Sequence, residues 1–253
     1  MCRVTPELTA AACKAAVNEL GGAFTRCPKT LRRARQLGLS GWAFYVAGRG
    51  GALGDVRPDT VTAALGFIAP EAVNDGWEVA RRISSPAEVA AHSLAECCRW
   101  GEEHLTAFGA VRRLVELAER IVLSADPAGL PLFAAWRSMP IPRDGSGARA
   151  SVLLHLLREH RCGAHLMAVR AAGLSALEAI LAGPDGQPGA VAFGWQPPYP
   201  PLGPLVRRRL WAEAVTDRIA GQAYAVLEPA ERVELHGLLE AALSHHRAAA
   251  APG

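Results

Sequence analysis

The sequence predicts an all-α protein, and three observations carry that prediction. Helix-start signals recur along the chain, alternating strand patterns are nearly absent, and the Gly/Pro clusters separate helical stretches rather than strands. "TPEL" sets Thr5 as an N-cap with Pro6 in the first helical position, opening a helix to about Gly21. "SPAE" places Ser85 at a cap with Glu88 three residues on, a capping box. The helical stretch it opens runs to about Ser124, with a break near Gly101 or Gly109. "SALE" repeats the device with Ser175 and Glu178, and further helices fit 70–82, 150–160, 164–172, 205–226 and 229–246. Two segments break the pattern. "PIPRDGSGA" (140–148) reads as a linker, and 183–204 holds seven prolines, of which the run "PPYPPLGP" cannot be an ordinary helix interior.

Composition sets limits on function. The chain has 253 residues, half of them hydrophobic and a fifth charged, and no segment reads as a membrane span. No basic segment followed by an apolar run opens the chain, so a cytoplasmic protein is expected. A net charge of +3 is too mild to require a nucleic-acid partner. The six cysteines show no CxxC spacing, Cys97 and Cys98 are adjacent, and no metal site is expected.

An internal echo appears at an offset of 121. "AGRGGALG" (47–54) lies over "AVRAAGLS" (168–175), placing Ala47 on Ala168, Arg49 on Arg170 and Leu53 on Leu174. Phe44 then falls on His165 and Tyr45 on Leu166. On the residues alone this is either a duplication or a coincidence of an Ala/Gly-rich chain.

Four segments tip the balance towards duplication: "FYVAGRGGALGDV", "VTAALGFIAPEAVNDGW", "LREHRCGAHLMAV" and "AVTDRIAGQAYAVLEPAE". With them the chain, from about residue 40 onward, resembles an actinobacterial helix-turn-helix family, SalR-like relatives of the MarR winged-helix proteins. The "HRxGxH...AGL" and "TDRxA" patterns are the most specific parts. The resemblance implies two winged-helix-like halves fused in one chain as a pseudo-dimer. The halves would be residues 1–125, with a long helix, and 126–253, with the Pro-rich loop, and their wings would be reduced or absent.

The DNA-reading elements look degenerate. In the first half the recognition helix would be 70–82, whose outward stripe carries Glu71, Asp75, Glu78 and Arg82, three acids facing a polyanion. In the second half "QPPYPPLGP" stands where that helix should begin, and "RRRLWAEAVTDR" leaves no room for a wing. Arg207, Arg208 and Arg209 read as a solvated face or a phosphate contact. DNA is therefore not expected as a partner.

The densest polar stretch is "REHRCGAHL" (158–166). His160 and His165 are five apart, too far round an unbroken helix to share a metal, although a break at Gly163 would free both rings. His165 is the candidate proton-transfer group, with a hydrogen-bonded core histidine or a haem ligand as the other readings. Arg49 and Arg170, each beside small residues, call for a carboxylate, carbonyls or an anionic ligand if buried. Tyr45 and His160 complete the candidate ligand set with Phe193, Trp195 and Tyr199 on the stiff Pro-rich loop, whose aromatics suit the wall of a cleft.

The sequence thus points to a monomeric or homodimeric protein of secondary metabolism that binds a small organic molecule in an interior cleft. If it is an enzyme, the chemistry is cofactor-independent acid–base work such as cyclisation, isomerisation or hydrolysis. The alternatives are a MarR-like transcription regulator and, third, a protein holding haem through His165.

Overall fold

The computed structural model describes residues 4–143, 147–203 and 205–250, and these residues form helices and no strands. Cys2, residues 144–146 of the expected linker and Pro204 of the Pro-rich loop lie outside the described residues. The helices are α1 (Pro6–Arg26), α2 (Pro28–Gln36), α3 (Gly41–Gly50), α4 (Pro58–Leu65), α5 (Pro70–Arg81), α6 (Pro86–His104) and α7 (Val111–Ser124). After them come α8 (Pro131–Arg137), α9 (Gly147–Ala171), α10 (Ala176–Leu181), α11 (Gly186–Ala192), α12 (Leu205–Tyr224) and α13 (Pro229–Ala250). Proline opens many of them, since its missing N–H falls where a helix has no use for it.

Local signals account for the helix starts. Thr5 Oγ1 accepts from the Leu8 N–H, and Ser85 and Ser175 each form a complete capping box with Glu88 and Glu178. The expected break after α6 falls at 105–110, so Gly109 lies in it while Gly101 stays helical. One expectation fails. Residues 150–160 and 164–172 are not two helices, because α9 runs unbroken through Gly163. That glycine serves packing: a Cβ there would stand 2.6 Å from Leu130 Cδ2.

The α9 helix is the axis of the molecule, buried on nearly all sides from Ala148 to Arg161, which is why no single apolar stripe marks it. It packs against α1, α6, α7, α8 and α12. The largest core joins α1, α6, α7, α8, α9, α12 and α13, with Phe24, Trp100, Phe133, Trp136 and Tyr224 among its bulky members, and so draws on both sides of residue 125. A second core fills α2 to α5 around Phe44, Val61, Ile68 and Trp77. Smaller clusters hold α10, α11 and the start of α12, and Phe67 from the α4–α5 turn packs against both. Only residues 82–85 separate α5 from α6, too few for a wing.

Candidate functional site

Tyr45 and Arg49 lie one turn apart on α3 and reach the same place, as their spacing requires. The Arg49 guanidinium holds Glu159 of α9 side-on along one edge, Nε to Oε1 at 3.1 Å and Nη2 to Oε2 at 2.8 Å, and Nη1 donates to the Tyr45 hydroxyl at 2.9 Å. Arg158 Nη1 gives a further hydrogen bond to Glu159 Oε1 at 2.9 Å. Glu159 is fully buried, and Arg49 is buried with it. Burial alone would raise the Glu159 pKa, but Arg49, His155 and Arg158 outweigh it and hold the carboxyl down at about 2. Burial likewise pushes the Tyr45 phenol up, and Arg49 and Arg158 bring it below its ordinary value.

His155 completes the cluster from one turn earlier on α9. Its Nδ1 donates to the Gly21 carbonyl at 2.9 Å, while Nε2 is buried without a hydrogen bond, 3.8 Å from Glu159. Burial pushes its pKa down to about 4, so the ring is neutral at pH 7. Trp136 Nε1 donates to the Arg49 carbonyl and ties α8 to the same point.

Against this cluster opens a cavity of about 190 Å³, lined by Arg49, Glu159, Cys162 and a set of apolar side chains from α4, α8 and α9. Leu65, Leu132 and Phe133 form buried walls, and exposed Ala63, Gly129 and Pro131 stand at the mouth. Glu159 lies inside the stretch that drew attention in the sequence. The demand of a buried Arg for a carboxylate was readable, but its partner is 110 residues away and no spacing marks it.

The other candidates are placed elsewhere. Arg170, the echo of Arg49, is exposed in the last turn of α9 and makes no ion pair among the described residues, so the carboxylate partner expected of a buried arginine is found for Arg49 and not for Arg170. Ala47 and Ala168, another pair that the echo aligns, are both fully buried. His160 is buried edge-on to Phe133, its pKa held at about 4 by burial and Arg137. His165 is half-buried, stacked on Phe67 at 5.4 Å, and its Nδ1 meets Thr216 Oγ1 at 2.8 Å while that hydroxyl donates to the Ala212 carbonyl. Burial, with Arg209 next in weight, brings His165 to about 4. It does not line the Arg49 cavity, so the expected meeting of His165, an arginine and a loop aromatic in one cleft is not the arrangement observed.

The two most specific sequence patterns dock on each other. Arg161 of "HRCGAH" pairs with Asp217 of "TDRIA" at 2.8 Å, and His165 with Thr216, fastening α9 to α12. Glu213 joins this seam through Arg161 and Arg209.

Phe193, Trp195 and Tyr199 lie on a strap that crosses to the first half of the chain. The Ala69 N–H at the start of α5 donates to the Phe193 carbonyl at 2.9 Å, and Trp195 Nε1 donates to the Phe67 carbonyl at 2.9 Å. Gly194, with φ at +84°, approaches so closely that a Cβ would sit 2.5 Å from Ala72 Cβ. Tyr199 turns back onto its own strap through the Trp195 carbonyl. The strap thus packs on the N-cap and on Ala72 of α5, while Pro70, Glu71, Asn74 and Asp75 stay exposed with Glu78 partly exposed.

No curated protein and no solved structure matches the chain. A family model described as a helix-turn-helix family matches residues 10–197, a span that takes in both the α3–α5 lobe and the strap that covers it. The chain belongs to that helix-turn-helix family.

Proposed function

We propose that this chain is a helix-turn-helix protein in which DNA reading has given way to the binding of a small organic molecule, in the cavity between α4, α8 and α9. The observation that carries the reading is the cavity itself. It has apolar walls and a few convergent polar groups, the character of a ligand site rather than of a packing defect. The strap bound to the N-cap of α5 and the acidic face of that helix argue in the same direction, because a helix-turn-helix reads bases with the first residues of its second helix. The fused pseudo-dimer is part of the proposal. The end of α9 followed by α10 to α13 repeats the succession α3 to α7, with α6 and α12 of 19 and 20 residues at matching places. Resemblance to actinobacterial proteins supports a role in secondary metabolism.

The second reading is a DNA-binding regulator, and membership of a helix-turn-helix family is the observation in its favour. One comparison tests both. The purified protein is examined by native mass spectrometry and by thermal melting against a panel of small organic molecules, and by gel shift with its own upstream DNA. Retention or saturable binding of a small molecule, with no selective shift, is expected. Selective DNA binding without any ligand effect would establish the regulator instead. An absorbance spectrum of the same sample decides the haem reading.

A further inference from the structure

The first turns of α12 carry apolar side chains on two sides, and the fold covers only one of them. Leu205, Ala212, Ala220 and Ala223 are buried, where the helix packs on α9 and α1. On the other side Val206, Leu210 and Trp211 are 47%, 66% and 51% exposed, and Leu202, just ahead of the helix, is 42% exposed. Residues 206, 210 and 214 step by four, as do 207 and 211, so Val206, Arg207, Leu210, Trp211 and Ala214 share one face. Ala214 and Arg207 are exposed with them. A single exposed apolar side chain is ordinary. Four within ten residues, a Trp among them, form a patch of the kind that meets a partner.

Charge selects the occupant. Of the three consecutive arginines, Arg209 turns inward to the Ala179 carbonyl and Glu213. Arg207 and Arg208 are exposed and make no ion pair among the described residues, and Arg218 adds an exposed cation one turn past Ala214. The acids of α12 are spent elsewhere, Glu213 on Arg161, Arg209 and Lys14, and Asp217 on Arg161. Of the acids nearby, Glu178 is held in the capping box of α10, and Glu7 of α1 answers Arg218 and Arg232. The face is therefore apolar at its centre and positive at its rim. A second copy docked through the same face would set arginines against arginines, with no carboxylate of α12 free to answer them. Duplex DNA would engage the arginines but gain nothing by covering Val206, Leu210 and Trp211. An amphipathic helix with an acidic polar side satisfies both parts of the face at once.

We infer that the outer face of α12 is a docking site for an acidic amphipathic helix of another protein, its apolar stripe on Val206, Leu210 and Trp211 and its carboxylates on Arg207 and Arg208. Trp and Arg are the side chains that most often carry the energy of such contacts. The face is presented ready-made, because Arg161–Asp217 and His165–Thr216 fasten the back of the helix to α9. None of these residues lines the Arg49 cavity, so the site stands apart from whatever the cavity holds.

The test titrates the full-length protein into three labelled synthetic peptides of about five helical turns, read by fluorescence anisotropy. The first has Leu on one face and Glu on the other, the second is the same composition scrambled to lose the stripe, and the third carries Lys in place of Glu. The acidic amphipathic peptide is expected to bind at least about tenfold tighter than either control, and more weakly as salt is raised. Trp211→Ala and Leu210→Asp should each weaken it at least about tenfold while Tm stays within about 2 °C, since both positions are exposed. Reversing the rim with Arg207→Glu and Arg208→Glu should turn the preference towards the Lys peptide. Equal binding of all three peptides, or undiminished binding by Trp211→Ala and Leu210→Asp, would overturn the inference, as would no binding at millimolar concentration. Two further results would reassign the face and overturn it too. One is a dimer in sedimentation that Leu210→Asp dissolves, and the other is retention of duplex DNA, without peptide binding, that the rim reversal abolishes.

Discussion

Glu159 bears on the whole molecule, because it is a fully buried carboxylate that serves two arginines, Arg49 and Arg158, at the centre of α9. Removing one partner of a buried ion pair leaves an uncompensated charge, so Glu159→Ala should cost about 3–5 kcal/mol in urea unfolding. In a chain of this size that lowers Tm by roughly 2–4 °C for each kcal/mol. A cost under about 1 kcal/mol would show that water reaches the cluster. His165→Phe should be mild by comparison. Thr216 keeps its bond to the Ala212 carbonyl, and a phenyl ring can stack on Phe67 as the imidazole does.

The buried histidines set the acid limit. His155, His160 and His165 hold folded pKa values at about 4 against an ordinary 6.5. Between those values the unfolded chain binds more protons, so stability falls as pH drops from 6.5 to 4, by up to about 1.4 kcal/mol per pH unit for each ring. Glu159 acts lower down. Its folded pKa is depressed to about 2, so the stability it contributes is present above its ordinary 4.5 and lost towards pH 2. His160→Leu should flatten the slope of the 4–6.5 limb by about one proton, which urea titrations at several pH values would measure. An unchanged slope would mean that His160 titrates alike in both states.

At the scale of the element, caps were legible and crossings were not. Thr5, Ser85 and Ser175 announce helix starts because the capping bond is made within four residues. The continuity of α9 through Gly163 was hidden, since a glycine that breaks a helix and one that admits Leu130 look alike in sequence. Gly101 and Gly147 show the same ambiguity where α6 crosses α9. A Cβ on Gly101 would lie 2.2 Å from the Gly147 carbonyl and 2.4 Å from Ser151 Oγ. Backbone cannot yield as a side-chain end can, so Gly101→Ala should cost at least about 2 kcal/mol despite its better helix propensity. Gly109→Ala is the control, for nothing lies within 4 Å of its would-be Cβ, and it should be near neutral. Equal unfolding midpoints for the two variants would mean that the crossing relaxes at little cost.

At the scale of the whole molecule, the all-α class was legible from periodicity and punctuation, whereas the meeting of Arg49 with Glu159 and of the strap with α5 was not. Both contacts join residues more than a hundred apart, and only the closed fold brings them together. The strap bears directly on DNA. A groove-reading helix needs an accessible first turn and a face that attracts phosphate, and here Phe193 and Gly194 stand against Ala69 and Ala72 of the first while Glu71 and Asp75 oppose the second. We therefore expect only non-specific affinity for duplex DNA, in the range of about 10⁻⁴ to 10⁻⁶ M at physiological salt. The two obstacles can be separated. Reversing the face with Glu71→Lys and Asp75→Lys should strengthen binding and steepen its salt dependence by up to about one unit of slope per phosphate engaged. It should not create preference for the chain's own upstream DNA over random duplex, because the strap still stands against the first turn of α5 at Ala69 and Ala72. Fluorescence anisotropy with the two duplexes in competition, from 50 to 200 mM salt, measures both quantities at once. Nanomolar, sequence-selective binding by the unaltered protein would mean that the strap lifts from α5 in solution, and the chain would then be a DNA reader after all.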